Sequence, residues 1–360
     1  MARIMVREQT IEKPEVEVVE QTATLAGSRF RVREHYSVGR EKVREFARAT
    51  QSRHGAHYSE PDALELGYDG IIAPPTFASV IGINATRVLL DTVLTEYDLS
   101  QILQTDQVFE LTRPILAGDR LSTEIVIDSI RQFGDNDFIL VTFSLTNQHD
   151  EIVVSGSTTI VARRGVEVDP NIAAAVENIM MHARPVTVGD ITVPDSGPLV
   201  ALPADAPPPG QPAVRSASVR SLPDFDRLAV GDQLPAETAY VTRGDLTNYA
   251  GVSGDPNPIH FSERAAQLAG LPTVVAHGML TMSLAGDYLT SWLGDPTAIE
   301  KFSVRFAGFV PVTAEAPSAV EFSGKIKSLD PRRRTATIVL AGNSEGRKLF
   351  GRAIAEVRFA

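Results

Sequence analysis

Residues 254–260 read Gly-Asp-Pro-Asn-Pro-Ile-His, and residues 276–284 read Ala-His-Gly-Met-Leu-Thr-Met-Ser-Leu. Pro256 and Pro258 fix φ and remove two backbone donors, so the first stretch is a stiff loop rather than a helix. Such a loop can hold two side chains, Asp255 and His260, at a set separation. Alone, the heptapeptide fits a proline-stiffened surface turn equally well. The second stretch tips the balance. His277 and Gly278 precede an apolar run, residues 279–293, that predicts a buried helix. Its first turn carries N–H groups without intrahelical partners and the positive end of the helix dipole. A glycine there lets a carbonyl oxygen approach the backbone closely. Asp255, His260 and Gly278 thus make an acid, a base and an oxyanion donor. Asn257 either orients the loop or this pair by side-chain hydrogen bonds, or is an ordinary turn residue. His277 either caps the helix or packs.

The pattern D-x-N-P-x-H followed by A-H-G-M resembles the MaoC-like family of (R)-specific enoyl hydratases and 3-hydroxyacyl dehydratases. The resemblance is strongest to the mycobacterial FAS-II (3R)-hydroxyacyl-ACP dehydratases. The second half, with Val230 to Pro235, Thr290-Ser291-Trp292 and Phe350-Gly351-Arg352-Ala353, is similar to the catalytic subunit HadB. The first half, with Glu65-Leu66-Gly67-Tyr68 and Ile72-Ala73-Pro74, is similar to its partner HadA. The resemblance implies two hot-dog domains in one chain, an α+β double hot dog with antiparallel sheets wrapped around central helices. It implies a hydro-lyase acting on acyl-ACP or acyl-CoA thioesters in fatty acid or mycolic acid synthesis, without cofactor or metal. It also implies that Asp255 and His260 hold a water or the β-hydroxyl between them, and that the first half helps accommodate the acyl tail along residues 71–90. An (R)-specific enoyl-CoA hydratase shares every one of these site residues. A non-catalytic acyl-binding protein is the rival from another class, and the intact triad argues against it. A metal hydrolase is weaker, because His54 and His57 have no third ligand cluster nearby in sequence.

Composition agrees with this reading. At 360 residues the chain is long enough for two cores. A formal charge of −11 argues against nucleic acid as a general partner. There is no cysteine, hence no disulfide and no thiolate metal site, as fits a cytoplasmic protein. No stretch is long and apolar enough to span a bilayer, and the polar N-terminus is not a signal peptide. An acidic carrier protein needs a local basic patch, and Arg332, Arg333 and Arg334 with Lys325 and Lys327 form the densest one. A solvated turn explains the same cluster more simply.

Outward from the loop, the chain divides into a tail (1–27), a first domain ending in a helix (28–184), a Pro-rich linker (185–223) and a second domain (224–360). Residues 40–50 and 71–90 read as helices, and residues 121–131, 137–148 and 152–163 as strands, the last two as a hairpin. Asp169-Pro170 starts a helix to about residue 183. The linker, with Pro207-Pro208-Pro209, is of polyproline-like character. In the second domain residues 241–252 read as a helix. Residues 299–309, 319–328, 335–341 and 349–359 read as strands, with a hairpin turn at 343–346.

Placing His57 on His260, a shift of 203 positions, aligns Ala47 with Ala250, Ser59 with Ser262, Glu60 with Glu263, Ala63 with Ala266, Gly67 with Gly270 and Ala73 with Ala276. The element order matches too, so duplication is the better reading. The same shift puts Ser52 opposite Asp255, and Pro74-Pro75 opposite His277-Gly278. The first copy therefore lacks the carboxylate, and a proline stands where an N–H is needed.

Overall fold

The computed structural model describes residues 25–95, 97, 102–163, 197–215 and 217–360. Most of the expected tail, the helix expected at 169–183 and the first part of the linker lie outside these. Two similar halves make up the chain. The first carries β1 (Arg29–Val32), β2 (Tyr36–Ser37), α1 (Arg40–Ala49), α2 (Glu60–Glu65), α3 (Ala78–Thr92), β3 (Ile102–Leu111), β4 (Arg120–Phe133), β5 (Asn136–Thr146) and β6 (Glu151–Arg163). Then come β7 (Leu199–Leu202) and β8 (Gln211–Pro212). The second half carries β9 (Gln233–Val241), α4 (Arg243–Ser253), α5 (Glu263–Leu268), α6 (Gly278–Leu293), β10 (Ile299–Phe306), β11 (Ser318–Asp330), β12 (Thr335–Ser344), β13 (Arg347–Lys348) and β14 (Phe350–Arg358).

Local chemistry sets these elements. In α1 the spacing of Val43, Phe46 and Ala47 turns one face inward. α4 starts with a capping box, Thr242 and Asp245 each bonding the other's backbone N–H, and stops at Gly254 in the left-handed region (φ 77°). In β5 Ile139, Val141, Phe143 and Leu145 alternate inward, as the sequence predicts. The last hairpin turns on Glu345 and Gly346, both at positive φ (49° and 73°), which suits a two-residue turn.

All the strands but three short ones lie on one path, β7-β1-β4-β5-β6-β3-β10-β14-β12-β11-β9. The halves join edge to edge where β3 pairs antiparallel with β10, Val108 opposite Ser303. The helices meet inside the curl of the sheet. Phe46 of α1 and Tyr249 of α4 lie 6.3 Å apart, and Thr76, just before α3, shares a 2.8 Å hydrogen bond with Ser283 of α6. The architecture is the expected double hot dog. Among the described residues, no helix is long and apolar enough to cross a membrane.

Three expectations need correction. β3, the strand that joins the halves, was not expected. Its sequence Ile-Leu-Gln-Thr-Asp-Gln reads as polar because the seam strand is only half-buried at that end. The helix expected over 71–90 starts at Ala78 instead, since Ile72 forms a bridge to Leu116 and Pro74-Pro75 follow. Nor is it buried throughout: α6 is buried along most of its length, whereas α3 exposes Asn84 and leaves Ile83 and Val88 half-buried. The described part of the linker is tied down too. Residues 199–202 add an edge strand to β1, and Arg215 donates to the carbonyl oxygens of Leu111 and Thr297.

Candidate active site

Three turns in series place the acidic group and the histidine. Gly254 ends α4. The hydroxyl of Ser253 accepts the Asp255 N–H (3.2 Å), and Asp255 Oδ1 accepts the Asn257 N–H (3.1 Å). Asn257 Oδ1 then accepts the Ile259 N–H (3.2 Å), capping the short 3-10 turn Pro258–His260. Asn257 thus shapes the loop through a side-chain hydrogen bond.

The ring of His260 is buried, and its Nδ1 donates to the Val275 carbonyl oxygen at 2.7 Å. A carbonyl only accepts, so Nδ1 carries the proton. In the neutral ring Nε2 is then an acceptor, and it has no hydrogen-bond partner among the described residues. Burial pushes the His260 pKa down, partly opposed by the nearby carboxylate of Asp255. The ring is held neutral at pH 7.

His277 stands at the start of α6, 1% exposed and stacked on His260 with ring centres 3.7 Å apart and planes 26° apart. Tyr249, whose phenol burial holds in its protonated form, packs tilted against it, ring centres 4.8 Å apart. Neither His277 nitrogen has a partner among the described residues, and burial holds its pKa well below the ordinary value. Asp255, His260 and His277 bring one ligand-type atom each within 4.8 Å of one another.

Gly278 opens α6, so its N–H has no intrahelical acceptor. A Cβ added there would sit 3.3 Å from the Phe306 ring, so the glycine keeps space beside that N–H. Sequence reasoning missed Phe306 and Tyr249. The repeat offered a signal for Tyr249, which falls opposite the core residue Phe46.

The first half repeats the scaffold with Ser52 where the second has Asp255 and Pro75 where it has Gly278. His57 Nδ1 donates to the Ile72 carbonyl at 2.7 Å, the counterpart of the His260–Val275 bond. The Ile72 N–H reaches the Ala56 oxygen as the Val275 N–H reaches that of Ile259. Gln51, opposite Gly254, is also at positive φ (54°). Ser52 shares a 2.9 Å hydrogen bond with Thr50. Beside it, Arg53 pairs with Asp287 (2.7 Å) and Glu237 (2.6 Å). Two of the five residues of the expected basic patch have acidic partners: Arg333 pairs with Glu300, and Arg334 pairs with Asp226 and lies over the Phe225 ring. The Arg332 guanidinium has no partner among the described residues.

Comparison with known proteins agrees with this geometry. Residues 24–155 match the dehydratase domain region of FAS1-like proteins, and residues 228–343 match the MaoC-like domain. A solved structure described as a MaoC-like dehydratase is 40% identical, with a TM-score of 0.84 over 93% of this chain and 99% of its own. The chain belongs to the MaoC-like dehydratase family. As a MaoC-like dehydratase it is a hydro-lyase. A UPF0336 protein of Mycobacterium tuberculosis is 35% identical over 40% of this chain and 91% of its own length. A M. tuberculosis protein described as having a double hot-dog fold covers 92% of the MaoC-like chain and 96% of its own at a TM-score of 0.59 and 12% identity, a likeness of fold.

Proposed function

We propose that the protein is a (3R)-hydroxyacyl-thioester dehydratase, running in reverse as a trans-2-enoyl hydratase, and that it serves type II fatty acid synthesis in the cytoplasm on carrier-bound, including long, acyl chains. The observation that carries this reading is the gathering of Asp255, His260 and His277 within 4.8 Å, with Gly278 next in the chain at the start of a buried helix. In our reading residues 224–360 form the catalytic domain and residues 28–184 the non-catalytic one, joined by residues 185–223 behind a tail of 1–27.

Dehydration removes a proton from the α carbon and hydroxide from the β carbon. The thioester oxygen gains negative charge as the α C–H bond weakens, and the Gly278 N–H stabilises it. One such donor is typically worth roughly 10²–10³ in rate. Neutral His260 accepts the α proton at Nε2. The β C–O bond breaks, and the hydroxide leaves as water with a proton passed through the His260–Asp255 pair. His277, stacked and uncharged, keeps the His260 ring in place. The half-buried apolar side chains of α3, Ile83 and Val88, line the path of the acyl tail. Arg332, with Lys325 and Lys327 on the same hairpin, receives the carrier.

The test is hydration of trans-2-enoyl thioesters of graded length, on CoA and on carrier protein, with wild type beside Asp255→Asn and His260→Ala. Losses of at least about 10² in both variants are expected, with a 3R product. A wild type inactive on every thioester would overturn the reading. Activity on CoA thioesters alone would shift the substrate class.

A further inference from the structure

The two halves use the same position on their central helices differently. The 203-residue shift places Asn84 of α3 on Asp287 of α6, and Asp255 on Ser52. In the first half's site, Asp287 is part of the scaffold. Its Oδ1 accepts the Arg53 N–H at 2.8 Å and its Oδ2 meets the Arg53 guanidinium at 2.7 Å. Asp287 and Ser52 line one open cleft of about 550 Å³.

In the second half's site the residue opposite Arg53 is Pro256, which has neither N–H nor charge. Asn84 is thereby released from the scaffold role. Its side chain makes no hydrogen bond to any described residue and is exposed. It nonetheless lies against the loop. Asn84 Oδ1 is 3.5 Å from where a Cβ on Gly254 would stand, one residue before Asp255. Adjacent Cα atoms are about 3.8 Å apart, so the Asn84 amide is within a side chain's reach of the Asp255 carboxylate. Asn84 is thus the residue by which the middle of α3 meets the loop that carries Asp255.

We infer that Asn84, contributed by the non-catalytic half, is a positioning residue for Asp255: its uncommitted amide lies against the Gly254–Asp255 turn, ready to bond the carboxylate or the oxygen that carboxylate handles once substrate enters. This rests on the dehydratase reading of Asp255 and His260. It makes the second half's site composite, since a residue from the first half completes it. The other titratable groups packed around the site are His277, Tyr249 and the Lys42 ammonium, which bonds the Val252 carbonyl. A charge placed at residue 84 therefore acts chiefly on Asp255 and His260.

The experiment pairs an activity-independent readout with kinetics. Histidine-labelled wild type and Asn84→Asp are titrated by NMR, following the His260 ring. A carboxylate at residue 84 favours imidazolium, so the His260 midpoint should rise by roughly 0.5–1 pH unit, and the acid limb of the kcat/KM profile should move the same way. Asn84→Ala should keep the wild-type thermal midpoint, lower kcat about tenfold and leave KM within about threefold. An unmoved His260 titration in Asn84→Asp would overturn the inference, as would wild-type kcat in Asn84→Ala. A wild type inactive on all thioesters would overturn the dehydratase reading alone, and the titration would still decide whether residue 84 addresses this site.

Discussion

His57 is the structural twin of His260, and its protonation can be set against folding. It is 1% exposed, bonded to the Ile72 carbonyl, and burial pushes its pKa down to about 4. In the unfolded chain a histidine titrates near 6.5. Between these values the unfolded state binds the extra proton, so the stability held above pH 6.5 is lost as the pH falls toward 4. From pH 7 to pH 4.5 the loss from this one ring is roughly 2 kcal/mol. His260 and His277 add losses of the same sign. In His57→Asn the ring is gone, so urea unfolding at pH 7 and 4.5 should show a pH dependence smaller by roughly 2 kcal/mol, whatever the absolute cost of the substitution. Hydratase activity at pH 7 should stay within about threefold of wild type. A pH dependence of stability equal to that of wild type would refute the reasoning. So would a loss of activity matching that of His260→Ala, since His57 would then belong to the chemistry.

Gly278→Ala should fold, because alanine favours a helix, yet lower kcat by at least about tenfold, since its Cβ meets Phe306 at 3.3 Å beside the N–H proposed to take the oxyanion. Steady-state kinetics on one enoyl thioester check this, and an unchanged kcat would remove Gly278 from the mechanism. Arg53→Met should cost about 1–2 kcal/mol in urea unfolding, as it strips the buried Asp287 of its cation while the half-exposed arginine itself is partly screened by water. Its kcat should match wild type, because the pair sits in the first half's site.

Much of this protein was legible in its sequence. Pro256 and Pro258 dictate a stiff loop wherever they occur, the capping residues Thr242 and Asp245 start α4 locally, and Ile139 to Leu145 alternate at the strand period. The repeat could be aligned because corresponding residues, such as Gly67 and Gly270, keep the same positive φ. That Pro75 cannot donate a hydrogen bond follows from its covalent structure. Only the tertiary structure decided the rest, because it depends on residues far apart in the chain. β3 is a seam strand by virtue of pairing with β10 nearly two hundred positions later, and its own polar residues do not announce it. The stack of His277 on His260 and the free nitrogens it leaves arise from burial between two helices, which no local pattern encodes. Arg333 and Arg334 look like a free basic patch until Glu300 and Asp226 meet them in space. Asn84 and Gly254 come together only because duplication packed one half's helix against the other half's loop.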